Sequence, residues 1–229
     1  MTQRLEPDFV PWYMKPDIVE GYEGWYEGKY KRADLLEKLV LSEMISQFDR
    51  PKTILEIGCG TSHFTRWFGS IGLNAVGVDL SPFMVRQARK IWQDGDLINA
   101  RSSHLPFESG SFDIAIFITC FEYMPDPVGV LSEAARVSRQ GLVLGLMNSW
   151  SLPTMRRKVQ LAFGKNDYYR NAHFYSIREM KRLTEKAFQD RARLLRWRTT
   201  LFPKPLGLER DTGNPFGAFL GIAIKKVGP

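Results

Sequence analysis

One segment constrains the fold of this 229-residue chain more than any other: Ile54-Leu55-Glu56-Ile57-Gly58-Cys59-Gly60-Thr61. An apolar strand runs into two closely spaced glycines and then into a helical stretch. Gly58 and Gly60 let the backbone bend sharply and let a ligand approach with no Cβ in the way. The free N–H groups of the following helix point toward such a ligand. Alone, the pattern fits any nucleotide-like cofactor, and it equally fits a tight strand-to-helix turn that binds nothing.

The next strand adds a second constraint. Val76-Gly77-Val78-Asp79 ends with a carboxylate 21 positions after Gly58. An acid there can accept hydrogen bonds from both hydroxyls of an adenosine ribose, or it can simply cap the helix opened by Ser81-Pro82. Two cofactors remain open at this stage, a nicotinamide dinucleotide and S-adenosylmethionine. The dinucleotide fingerprint wants a glycine three positions after Gly60, and His63 stands there, which argues against it.

Strands and helices alternate around these motifs. Strands are expected at Thr53–Ile57, Ala75–Val78, Leu97–Ala100, Asp113–Thr119 and Leu142–Met147. Helices are expected at Thr61–Ser70, Ser81–Trp92 and Val128–Val137. Such alternation implies a parallel sheet with right-handed crossovers. Ala33–Phe48 reads as an amphipathic helix with Leu35, Leu36, Leu39, Val40, Met44 and Ile45 on one face. Leu5 to Lys29, rich in Pro, Gly, Tyr and Trp, reads as an irregular arm. After Asn148 the rhythm changes to an amphipathic helix at Met155–Phe163 and a capping box at Ser176-Ile177-Arg178-Glu179 that opens a helix through Phe188. Two last strands, Arg193–Leu201 and Ala218–Val227, flank a Pro/Gly-rich loop. One domain is expected: residues 1–50 as arm and helix, 51–148 as the cofactor half, 149–175 as a substrate lid, and 176–229 as the last helix and two strands.

The net charge of +7 is unevenly spread. Residues 1–150 hold 15 Lys and Arg against 19 Asp and Glu, whereas residues 151–229 hold 17 against 6. The basic third would attract an anionic substrate, a phospholipid surface or RNA, or serve only as a solvated face. The two cysteines lack a metal-ligand spacing such as Cys-x-x-Cys, no metal is expected, and a reducing, cytoplasmic setting is the plain reading. Met1 to Met14 shows no secretory apolar core, and no apolar run approaches the length of a membrane span.

Further residues carry a resemblance. Ser102-Ser103-His104-Leu105-Pro106-Phe107, Ser111-Phe112-Asp113 and Glu122-Tyr123-Met124-Pro125-Asp126-Pro127, in order after Glu56-x-Gly58-x-Gly60 and Asp79, are similar to the class I S-adenosylmethionine-dependent methyltransferases, in particular their type 11 branch. The resemblance covers about residues 20–147. It implies a Rossmann-like, doubly wound α/β sheet of seven strands, mostly parallel with the last strand antiparallel, and a helical lid after strand five. It also implies that Glu56, Gly58, Cys59 and Gly60 shape the loop under the methionine moiety and that Asp79 holds the ribose. Leu80 and Met84 would flank the adenine, and Ser102 and Ser103 would meet its edge. Thr119 and Cys120 would meet the methionine amino group, and Tyr22, Trp25 and Tyr26 would form an aromatic cover. Three positions depart from the pattern: Ser62 replaces a third glycine, Arg101 an acid before Leu-Pro-Phe, and Tyr123 a histidine after the fourth strand.

The expected function is methyl transfer to a small-molecule acceptor, apolar or anionic, by in-line displacement. His173, inside an aromatic cluster, is the candidate general base. RNA or protein methylation through the basic third and non-catalytic adenosylmethionine binding are the alternatives. Arg156-Arg157-Lys158 on an amphipathic helix suggests peripheral membrane contact.

Overall fold

The structure is a computed structural model that describes residues 9–164, 167–189, 191–202 and 214–227. The first eight residues of the N-terminal stretch and most of the Pro/Gly-rich loop before the last strand lie outside the described residues.

Seven strands form one sheet: β1 (Thr53–Ile57), β2 (Asn74–Asp79), β3 (Leu97–Asn99), β4 (Phe112–Ile118), β5 (Ser138–Met147), β6 (Ala192–Thr200) and β7 (Phe219–Lys226). Their order is β3-β2-β1-β4-β5-β7-β6, and only β7 runs antiparallel to its neighbours. The order reverses between β1 and β4, so the crevice outside their carboxyl ends is the ligand position of a doubly wound sheet. Helices α1 (Pro16–Glu20), α2 (Lys31–Ile45), α3 (His63–Ser70), α4 (Pro82–Ile91), α5 (Pro127–Val137), α6 (Leu152–Ala162) and α7 (Ile177–Phe188) complete the fold. Among the described residues no helix is long and apolar enough to cross a membrane.

Period-two alternation explains how both faces of the sheet are filled. In β4, Ile114 and Ile116 pack with α2 and α3 residues such as Leu41, Met44 and Phe68. Ala115 and Phe117 point the other way, toward Leu131 and Ala134 of α5 and Met180 of α7. Helix starts follow their capping chemistry: Ser81, Asp126, Ser151 and Ser176 each accept an N–H of the first turn on a side-chain oxygen.

The structure corrects the face of α2. Leu36, Val40, Leu41, Met44 and Ile45 are buried, while Leu35 and Leu39 are 58% and 40% exposed. The buried stripe is set by a close approach of α2 to β5 and β7. A Cβ on Gly221 would stand 2.3 Å from Val40 Cγ1, and one on Gly145 would stand 2.5 Å from Phe219 and 3.2 Å from Leu41. Helix and sheet are in contact through these missing side chains. Gly221→Ala is therefore expected to destabilise the protein by about 1–3 kcal/mol through overpacking against a stiff β-branched neighbour, measured as a lower midpoint in urea denaturation with an unchanged m-value.

Candidate active site

The crevice is organised by the end of β2. Val78 O accepts hydrogen bonds from Gly58 N (2.7 Å) and Cys59 N (3.0 Å) of the bend after β1. Asp79 then accepts Gly60 N–H on Oδ2 and Ser81 N–H on Oδ1, both at 2.8 Å. Burial raises the Asp79 pKa, and these two backbone donors pull it back down. Gly58 (φ +78°) and Gly60 (φ +54°) hold the bend in left-handed conformations. A Cβ on Gly58 would stand 2.6 Å from Cys120 Sγ, so the bend and the end of β4 are in contact only because that side chain is missing.

A cleft of about 890 Å³, its open mouth included, lies over this bend. Its floor includes Glu56, Gly58, Cys59, Gly60 and Asp79, and its walls include Leu80, Met84, Ser102, Thr119, Cys120 and Tyr22. With Tyr26, which lines it too, the structure thus brings twelve of the fourteen expected cofactor and cover positions into one cavity. The other two lie elsewhere: Trp25 lines a neighbouring cavity, and Ser103 directs its hydroxyl to His104 Nδ1 (3.0 Å). Glu56 is buried, and Thr65 Oγ1 donates to it at 2.5 Å. Its pKa is pushed up to about 8, chiefly by burial.

The neighbouring cavity, about 920 Å³ with its mouth, shares Trp12, Tyr22, Tyr26, Phe64, Thr119 and Tyr123 with the first. Its remaining wall carries Trp25, Tyr30, Tyr168 and Tyr169, together with Asp34, Glu37 and Arg157. Thr119 sits where both cavities meet, at φ +49°, a costly conformation for a β-branched residue. Asp34 is occupied by Lys38 Nζ and His63 Nε2, each at 2.7 Å. Arg157 lies over the Tyr169 ring, its Cζ 4.9 Å from the centroid. Among the described residues no side chain hydrogen-bonds to the Glu37 carboxyl. Burial and the nearby Asp34 push its pKa up to about 8.

The N-terminal arm closes both cavities. Tyr26 stacks on His63 with ring centroids 3.6 Å apart, and Trp12 stacks on Tyr22 at 5.3 Å. Glu23 accepts from Thr61 Oγ1 (2.6 Å) and Arg66 Nη2 (2.9 Å), and Ser81 Oγ donates to Tyr13 O (2.5 Å). His63 is thus a fastening for the arm, and burial lowers its pKa. Trp12, Tyr13, Tyr123 and Glu37 were missed from sequence. The aromatic richness of the arm was the one available signal for the first two.

His173 is placed outside both cavities. It is half exposed, and its Nε2 stands 2.6 Å from Glu179 Oε1. Ser62, which stands where the resemblance has a third glycine, is left-handed (φ +67°, ψ +24°) and fully buried, and its Oγ has no hydrogen-bond partner among the described residues. Among the described residues no group of three or more His, Cys, Asp or Glu could hold a metal ion.

A glycine-bent switch point with an acid at the end of β2, followed by an antiparallel seventh strand, defines the class I methyltransferase architecture. The comparisons agree. The family model for a methyltransferase domain matches residues 55–144. An uncharacterised protein of Methanocaldococcus jannaschii is 28% identical over 215 residues, spanning 91% of this chain and 97% of that protein. Demethylmenaquinone methyltransferase of Tropheryma whipplei is 33% identical over 90 residues, 38% of each chain. The crystal structure of a SAM-dependent methyltransferase from Thermotoga maritima superposes with a TM-score of 0.68 at 25% identity, covering 95% of this chain and all of that one. These likenesses support a class I S-adenosylmethionine-dependent methyltransferase of the type 11 branch.

Ser62→Gly is expected to raise stability by about 1 kcal/mol, because it removes a left-handed Cβ and an unsatisfied buried hydroxyl at the cost of a more flexible unfolded chain. Thermal melting of the two proteins side by side checks this.

Proposed function

We propose that this enzyme transfers the methyl group of S-adenosylmethionine to a small-molecule acceptor lodged in the second, aromatic cavity. The observation that carries the reading is the shared wall between the two cavities. Six residues face both, so a donor over the Gly58–Gly60 bend and an acceptor among the rings would meet across Thr119 and Tyr123.

The first cavity fits the cofactor's chemistry. Each Asp79 oxygen accepts one backbone N–H and keeps a second lone pair for a ribose hydroxyl. A Cβ at Gly60 would project between Tyr22 and Met84, 3.8 and 3.9 Å away, into space that the nucleoside needs. Leu80 and Met84 would flank the adenine, Ser102 would meet its edge, and Glu56, Cys59, Thr119 and Cys120 would surround the methionine moiety. Tyr22 would cover the cofactor, while Trp25 would serve the acceptor side.

S-adenosylmethionine supplies a methyl group already activated on a sulfonium. The chain's part is to align the acceptor in line with that group and keep water out, which the aromatic arm is built to do. Where the acceptor must lose a proton, Glu37 would take it: it lines the acceptor cavity, no side chain among the described residues hydrogen-bonds to its carboxyl, and burial pushes its pKa up to about 8. His173 would have no contact with the reacting groups. An RNA or protein acceptor would have to pass this aromatic enclosure, so the cavity favours a small molecule over the reading suggested by the basic third. Residues 149–175 would act as the lid, with Arg157, Tyr168 and Tyr169 forming its inner surface.

Two measurements test the reading. Calorimetric titration with S-adenosylmethionine is expected to give micromolar binding, weakened about 10- to 100-fold in Asp79→Asn by loss of charge-assisted hydrogen bonds; unchanged affinity in that variant would overturn the placement. In a screen of small-molecule acceptors read by adenosylhomocysteine release, kcat/KM is expected to rise as pH increases through about 8, where Glu37 loses its proton. Glu37→Gln should lower kcat/KM and flatten that limb. A pH profile identical in the variant would remove Glu37 from the chemistry.

A further inference from the structure

We propose that the outer face of α6 docks on an anionic lipid surface. Leu152, Met155, Val159 and, just past the helix end, Phe163 recur at spacings of three, four and four, so they form one stripe along the helix. Each is between 53% and 75% exposed. The opposite side of the same helix faces inward: Thr154 is fully buried, and Arg157 lines the second cavity. Four large apolar side chains in line on the solvent side of a helix cannot be explained by packing in this fold, and contiguous exposed apolar surface marks an interaction site.

Charge selects the occupant. Arg156 and Lys158 flank the stripe and are exposed. Arg178 lies against Trp150, just before the helix, its Cζ 5.5 Å from the ring centroid. No Asp or Glu occurs from Asn148 to Asn166. An apolar stripe whose charged neighbours along the helix are all cations has the form of a helix that lies in the plane of a membrane with its cations at the phosphate level. A second copy of this chain is a poor occupant, since a two-fold contact through α6 would bring these cations against their own copies. The inference does not depend on which molecule is methylated. Its consequence is that the helix bordering the second cavity would rest on the bilayer, so an acceptor dissolved there would have a short path in.

Co-sedimentation of the full chain with vesicles tests this, with pure phosphatidylcholine compared with an equal mixture of phosphatidylcholine and phosphatidylglycerol. The wild-type protein is expected to pellet with the mixed vesicles, to be released by added salt, and to stay in solution with pure phosphatidylcholine. Leu152→Ser combined with Val159→Ser should reduce partitioning at least about tenfold. Arg156→Glu with Lys158→Glu should abolish the preference for anionic vesicles. Both double variants change exposed residues and should keep wild-type affinity for S-adenosylmethionine, so a lost docking face is distinguishable from a lost cofactor site. The proposal is overturned if the wild type ignores anionic vesicles, if both variants partition like wild type, or if analytical ultracentrifugation shows a dimer that the Ser substitutions dissociate.

Discussion

The Asp79 carboxylate is buried at the end of β2, and burial alone would favour its neutral form. It is held by two backbone N–H groups that reach it only because of the chain's local path. Gly60 presents its N–H from a left-handed bend, and Ser81 presents its own at the start of α4. Val78, one residue earlier, binds the same bend through its carbonyl. The acid is therefore both a structural clamp between β1 and β2 and a preorganised acceptor facing the crevice. An acid held in this way needs little reorganisation when a ligand's hydroxyls arrive.

The same bend also carries the roof of the site. Helix α3 starts just after it, and the arm is fastened to α3 and its entry by the Tyr26–His63 stack and by Glu23, which bridges Thr61 and Arg66. Floor and roof thus share one anchor. Tyr22 and Trp12, stacked on each other, stand in the walls of both cavities, so a shift of the arm would change both at once. The strained Thr119 at the tip of β4 is the sheet's contribution to the meeting point. Its backbone N–H stays bound to Gly145 O at 2.7 Å, so the strain is held in place by the ladder.

What could be read from sequence was what is local. Strand, bend, helix and acid follow each other within about thirty residues, and their positions are fixed by chain direction and period. The strands, bend and helices of residues 51–148 were accordingly legible, although Ser103 lies outside the cleft that Ser102 lines. Side-chain direction in irregular segments was not. His173 does stand beside an aromatic ring, that of Tyr175, but its Nε2 turns to Glu179, the acid of the capping box. Glu37 was hidden because a single acid on a predicted helix reads as solvated surface until an arm folds over it. The choice of Leu41 over Leu39 depended on where two glycines let the sheet come close. Ser62 could not be read because a small residue says nothing about the sign of φ.

The extent of likeness follows the same division. The family model covers 55–144, which takes in the Asp79 clamp and ends before α6, and the Tropheryma enzyme matches over a similarly short stretch of 90 residues. The Methanocaldococcus protein and the Thermotoga structure are alike over 91% and 95% of this chain. In-line transfer from a sulfonium asks little of the sheet beyond holding the donor, so selection for an acceptor must act on the elements that enclose it. In the proposed reading those elements are the arm, Glu37 on α2 and the inner side of α6. Relatives that share them are therefore the ones with which an acceptor cavity of this shape can be shared.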